Sequence, residues 1–188
     1  MSGFTVYDVE TAPEAARPLL QKYLDGYKFV PNMMGAMAES PELLAAYQAL
    51  SGLWANTDLT PLERDVVLLA INRENGCRYC MASQSTVSAR AGMPAEMLDA
   101  LRNARTIDDA KLQTLRAYAE TVVRKRGWVD GADLDALLAA GYTKRTALEV
   151  VLAASFKTLS NYTDHVTDVA VDKVFSKYAW TADDQAAK

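Results

Sequence analysis

What most constrains this chain is the punctuation of its apolar stretches. A Ser, Thr or Asp, often followed by proline or a carboxylate, opens one stretch after another, and a glycine closes many of them. Between these marks the apolar residues recur at helical spacing, which is the pattern of capped amphipathic helices. Thr60-Pro61-Leu62-Glu63 is the fullest case. It offers a capping hydroxyl, a proline for the first helical position and a carboxylate that can reach back to the cap amide. No segment alternates apolar and polar residues between turn signals, and Phe4-Thr5-Val6-Tyr7 is the one weak strand candidate. The chain therefore reads as all-α.

Helices are expected over 12–23, 31–38, 41–55, 60–76, 77–91 and 94–103. Asp108 is expected to cap a long helix ending at Gly127, Asp130 one ending at Gly141, and Thr143 the longest. The apolar stripe of that last helix is read through Leu148, Val151, Leu152, Phe156 and Leu159. A final piece over 172–178 precedes a polar tail, 180–188, expected to fray; residues 1–11 are read as an irregular start. The 188 residues are enough for one domain. Trp54, Trp128 and Trp180 read as packing anchors, and Met33, Met34 and Met37 as core or subunit-packing surface.

Charge narrows the partners. The chain has 20 Lys and Arg against 24 Asp and Glu and no basic run, so nucleic acid is not an expected partner. No stretch approaches the ~18 apolar residues of a membrane span. The N-terminal stretch is acidic where a signal peptide would be basic and then apolar, so a soluble, cytoplasmic chain is expected.

A faint internal repeat runs through the pattern. Laying Thr60 on Thr143 also lays Val67 on Val150, Leu69 on Leu152, Ala70 on Ala153 and Tyr79 on Tyr162. Two helices of similar composition give several such matches, so duplication and coincidence both stand. Under duplication, the segment around the cysteines has a twin without sulfur at Ser160-Asn161-Tyr162-Thr163.

Both cysteines fall in Cys77-Arg78-Tyr79-Cys80. Positions i and i+3 share a helix face, so the two sulfurs can approach within the first turn. A helix starting after Gly76 presents its free amides and positive dipole end to a thiolate there. Such a pair can form a reversible disulfide. Two buried structural cysteines would fit the spacing too. Zinc fits poorly, since His165 is the only histidine and no further cysteine exists. Asp65 lies on the preceding helix, and Gln84 sits one turn beyond Cys80.

The stretch over 62–84, LERDVVLLAINRENGCRYCMASQ, resembles the carboxymuconolactone decarboxylase-like superfamily, in particular its AhpD-like alkylhydroperoxidase branch. The resemblance extends loosely through Phe29-Val30-Pro31-Asn32, Lys125-Arg126-Gly127-Trp128 and the segment from Leu159 to His165. It implies an all-α AhpD-like domain with the CxxC opening a helix of a helix-turn-helix. It implies a homo-oligomer, trimer or hexamer, without metal, haem or flavin. By position, it makes Cys80 the peroxide-attacking cysteine, Cys77 the resolving one and Asp65 the acidic member of a proton relay. The chain departs from the pattern at Gln84, where a histidine is expected and where an amide has no titratable proton near neutral pH. Glu63, about 200° round the helix from Asp65, reads as the capping carboxylate. His165 is a weaker candidate for the missing imidazole.

The implied function is a thiol-dependent peroxidase or disulfide reductase, acting on a small hydroperoxide and recycled by an external dithiol. The alternatives are a carboxymuconolactone-type decarboxylase and a redox-sensing oligomer whose cysteines cycle slowly. The dipole argument favours Cys77 as the more acidic thiol, whereas the resemblance assigns attack to Cys80.

Overall fold

The computed structural model describes residues 3–181, and no strand occurs among them. Helices α1 (Arg17–Tyr27), α2 (Asn32–Met37), α3 (Pro41–Ala55), α4 (Pro61–Glu74) and α5 (Arg78–Arg90) carry the N-terminal half. They are followed by α6 (Ala95–Arg102), α7 (Ala110–Arg124), α8 (Gly131–Ala139) and α9 (Lys144–Thr167). Short 3₁₀ turns at Glu14–Ala16 and Lys173–Tyr178 flank the helices. No helix among the described residues is long and apolar enough to cross a membrane.

The caps work as the sequence indicates. Thr60 and Glu63 form a reciprocal capping box on α4, and Glu63 also pairs with Lys111 at 3.3 Å. Asp130 and Asp133 do the same for α8, as do Thr143 and Thr146 for α9. Some boundaries move. Helix α7 is capped by Asp109, whose carboxylate accepts from Leu112 N, rather than by Asp108. The first helix shifts along the chain, its opening residues Glu14–Ala16 forming a 3₁₀ turn before α1 proper runs from Arg17 to Tyr27.

Helix α4 is the centre of the fold. Val66, Val67, Leu68, Leu69, Ala70 and Ile71 are consecutive and all buried, which requires neighbours on every side. Helices α5, α6, α7 and α9 supply them. A second apolar cluster joins Leu20, Met33, Met37, Leu44 and Phe175 to both cysteines. A third holds Leu69, Met81, Leu101 and Trp180.

The tryptophans divide. Trp54 and Trp180 are buried, and Trp180 Nε1 donates to Arg102 O at 3.1 Å, so the expected tail begins in the core; residues 182–188 lie outside the described residues. Trp128 is not an anchor, being 85% exposed. The stripe expected on α9 is also rotated. Leu148 and Val151 face outward, while Ala147, Val150, Ala153, Phe156 and Lys157 turn inward. The inward face carries polar residues, which a count of apolar positions passes over.

The Phe4–Tyr7 segment is irregular and runs against α2, with Tyr7 N donating to Gly35 O at 3.3 Å. A Cβ on Gly35 would stand 2.6 Å from Tyr7 O. Gly35→Ala is therefore expected to destabilise the protein by about 1–3 kcal/mol, the cost of overpacking. Gly52→Ala, in α3 with nothing within 4 Å of the added atom, should stabilise by roughly 0.5–1 kcal/mol. Thermal melts of the two variants moving in the same direction would contradict this.

Candidate active site

Gly76, at φ 68, lets the chain leave α4 and re-enter a helix at once. Cys77 then becomes the N-cap of α5, its Sγ accepting from Cys80 N at 3.2 Å. The turn is held to α9 by a ladder of amides. Asn75 Nδ2 donates to Asn161 Oδ1 at 2.8 Å, Asn161 Nδ2 to Asn72 Oδ1 at 3.0 Å, and Asn72 Nδ2 to Cys80 O at 3.2 Å. Each is an amide hydrogen bond made inside the protein, where leaving a partner unpaired would be costly.

Both thiols are free and buried, but their surroundings differ. Cys77 Sγ donates to Asp164 Oδ2 at 3.3 Å, and the same oxygen accepts from Tyr79 N. Asp164 is itself buried, and its other carboxylate oxygen has no hydrogen-bond partner among the described residues. Cys80 Sγ lies 3.6 Å from Ser160 Oγ and lines a cavity of about 290 Å³. Lys157, 4% exposed, lines the same cavity.

These neighbours pull the two thiols apart. Burial, the Cys80 sulfur and the Asp164 charge hold the proton on Cys77 and push its pKa well above the ordinary thiol value. Burial alone would push Cys80 up as well. It is outweighed by the Cys77 thiol, the Lys157 ammonium and hydrogen bonds from Ser160 and Asn161, so Cys80 falls below the ordinary value. The helix dipole, which favours the first-turn residue, is overruled by the local charges.

A pH profile tests this. With a lowered Cys80 pKa, the thiolate persists at pH values where free cysteine, with a pKa of ~8.5, is mostly protonated. Iodoacetamide is therefore expected to alkylate Cys80 with a midpoint below that of free cysteine, and Cys77 only far above it. Peptide mapping that finds Cys77 modified first would reverse the assignment.

The other expected residues are placed as follows. Gln84 lines the cavity, and its amide nitrogen donates to Asp65 Oδ1 at 3.0 Å and Ser88 Oγ at 3.2 Å. Asp65 is half-buried, and burial raises its pKa. It meets the cavity through Gln84, while the hydrogen bonds of the sulfurs go to each other's residues, Asp164 and Ser160. His165 is exposed and stacks on Tyr162 at 5.9 Å, so it does not replace an imidazole at the cysteines. Met37 is core, whereas Met33 and Met34 are buried and also line the cavity. The twin expected at 160–163 is no turn but uninterrupted helix, and it faces the cysteines directly.

Sequence reasoning missed Asp164 and Lys157. Their signal was available, since Lys157, Ser160, Asn161 and Asp164 stand at i, i+3, i+4 and i+7, a polar stripe on one face. The rest of the cavity wall includes the rings of Tyr23, Tyr27, Phe29, Tyr47, Trp54 and Phe156, beside Ser51, Leu68, Val87 and Arg90. No three His, Cys, Asp or Glu side chains converge as metal ligands among the described residues.

Residues 41–121 match the sequence model of the Carboxymuconolactone decarboxylase family. No curated protein matches the chain in sequence. Among solved structures, an uncharacterized peroxidase-related protein of Ralstonia eutropha JMP134, bearing the alkylhydroperoxidase AhpD core, has a TM-score of 0.81 at 22% identity. The match covers 92% of this chain and 93% of that one. A peroxidase-related protein of Silicibacter sp. TM1040 has a TM-score of 0.76 at 18% identity, with 96% of each chain covered. The debrominase Bmp8 has a TM-score of 0.79 at 18% identity, over 95% of this chain and 96% of its own. A cysteine-to-alanine form of that debrominase is solved in complex with 2,3,4-tribromopyrrole. At these identities the likeness is one of fold.

Proposed function

We propose that this chain, whose residues 41–121 match the Carboxymuconolactone decarboxylase family and whose fold is that of an AhpD-like core, is a thiol-dependent oxidoreductase that reduces small hydroperoxides through Cys80 and Cys77. The observation that carries this reading is the unequal thiol pair. Cys80 is the more acidic thiol and borders the cavity, while Cys77 keeps its proton behind it.

The chemistry balances in three steps. The Cys80 thiolate attacks one peroxide oxygen and becomes a sulfenic acid, and the alkoxide that leaves is protonated to an alcohol. The Cys77 sulfur then attacks Cys80, forming the disulfide as water departs. An external dithiol supplies two electrons and two protons and restores both thiols. Asp164, bonded to the Cys77 thiol, is placed to take its proton in the second step. Gln84 and Asp65 fix the cavity wall one turn beyond Cys80.

The cavity favours a second reading with the same dithiol. About 290 Å³, with aromatic rings among the lining, exceeds what H₂O₂ needs and suits a flat organic ring. Two thiols can supply the two electrons that replace a carbon–halogen bond by carbon–hydrogen, releasing halide and leaving the disulfide. That reading draws on the debrominase of similar fold.

Steady-state assays with a dithiol donor, offered hydroperoxides and a bromopyrrole in parallel, separate the readings. Hydroperoxide consumption with a Cys77–Cys80 disulfide in the non-reduced peptide map is the expected result. Halide release without peroxide turnover would favour dehalogenation. Product formation from a carboxylated lactone without any reductant would favour a decarboxylase, and a single stoichiometric oxidation a sensor.

A further inference from the structure

Lys157 is 4% exposed and lines the cavity beside Cys80. Its helix places it one turn before Ser160, whose hydroxyl donates to Lys157 O at 3.1 Å and lies 3.6 Å from Cys80 Sγ. Its ammonium sits 5.7 Å from the centre of the Phe156 ring, and no carboxylate lies within ion-pair distance of it among the described residues. A charge so enclosed is costly unless something nearby uses it. The Lys157 charge acts on Cys80 and Cys77 of α5, and Tyr23, Tyr27, Tyr47, Tyr79 and Arg90 line the same cavity. Tyr47 holds its proton, because burial and then the nearby Cys80 charge raise its pKa.

The peroxide step needs a proton at the leaving oxygen. Gln84 cannot give one, its amide having no acidic proton and its nitrogen being engaged with Asp65 and Ser88. We infer that Lys157 is a catalytic residue of this site, the general acid that protonates the alkoxide leaving group as Cys80 takes the other peroxide oxygen. The inference rests on the peroxidase reading above.

The step balances in charge and atoms. Thiolate, ammonium and ROOH become sulfenic acid, neutral amine and ROH, and the amine regains a proton from solvent before the next turnover. The role also makes the ammonium serve twice, first by favouring the thiolate and then by supplying the proton. A group that only favoured the thiolate would act equally on every oxidant. A proton donor matters only where the leaving group is a strong base.

The test is therefore single-turnover oxidation of the reduced protein by tert-butyl hydroperoxide, which expels an alkoxide, and by peracetic acid, which expels a stable carboxylate. Wild type is compared with Lys157→Met at a pH where Cys80 is fully ionised in both, as fixed by their alkylation profiles. The expected result is a fall of about 10²- to 10⁴-fold with the alkyl hydroperoxide, the usual worth of a general acid, and of less than about tenfold with the peracid. Equal falls with both oxidants, or none, would overturn the inference. Lys157→Arg is the second variant, needed if the methionine form fails to fold. Arginine keeps the charge but holds its proton, so it should retain the low Cys80 midpoint and still lose the alkyl-hydroperoxide rate selectively. Full retention of that rate in Lys157→Arg would also overturn the assignment. Wild type inert to both oxidants would sink the peroxidase reading itself.

Discussion

Cys80→Ser is expected to abolish hydroperoxide consumption, by at least about 10³-fold, as removal of a catalytic nucleophile does, whereas Cys77→Ser should leave the first chemical step intact and stop the cycle after it. The difference follows from the two environments. Cys80 reaches the cavity and is acidified by Cys77, Lys157, Ser160 and Asn161 against the opposing effect of burial. Cys77 donates to Asp164 and is walled off behind the first turn of α5. Without Cys77 the sulfenic acid has no neighbouring thiol to attack it and should persist long enough to react with dimedone. One equivalent of dimedone on Cys80 in Cys77→Ser, and none on Cys77 in Cys80→Ser, is the expected mass-spectrometric result. The opposite labelling would exchange the two roles. Removing the Cys77 thiol also removes one contributor to the low Cys80 pKa, so its alkylation midpoint should rise in that variant.

The largest effect on stability is expected from Phe156→Ala. This side chain is 2% exposed and belongs to the main apolar cluster. Its ring lies 6.0 Å from that of Tyr47 and 6.2 Å from that of Trp54, so it ties α9 to α3 while also closing the cavity. Deleting a buried phenylalanine costs about 3–5 kcal/mol, a large share of the roughly 5–15 kcal/mol by which proteins are folded. At about 2–4 °C per kcal/mol for a chain of this size, the melting temperature should fall by roughly 6–20 °C. The space left is lined by aromatic and aliphatic groups, so a small apolar ligand such as benzene should restore part of the loss. A melting temperature within about 2 °C of wild type would show that Phe156 does not join the two helices as described.

Much of the architecture was legible locally. A cap, a proline at the first helical position and a closing glycine act within one turn of chain, so the limits of α3, α4, α5, α6 and α8 could be read from neighbouring residues. Boundaries failed where competing local bonds decided. The first helix opens as a 3₁₀ turn over Glu14–Ala16, and Asp109 outcompeted Asp108 as a cap. Thr60 and Thr143 do cap comparable helices, but Gly76 breaks one of them while the other runs on through Ser160.

By itself the sequence determined that the chain is helical, that Cys77 and Cys80 share the first turn of one helix, and that Gln84 stands one turn beyond Cys80. Only the tertiary structure decided which thiol is acidic. That depends on Lys157, Ser160, Asn161 and Asp164, all on α9 and remote in sequence from the cysteines. Local periodicity assigns such polar residues to solvent, because it scores each residue against water and not against the partner it meets. Here the partner is a pair of sulfurs and a ladder of asparagines, and Coulomb and hydrogen-bond energies act through space regardless of chain distance. Trp128 and Leu148 show the converse, being apolar residues that packing leaves outside, with no mark in their own neighbourhood to say so.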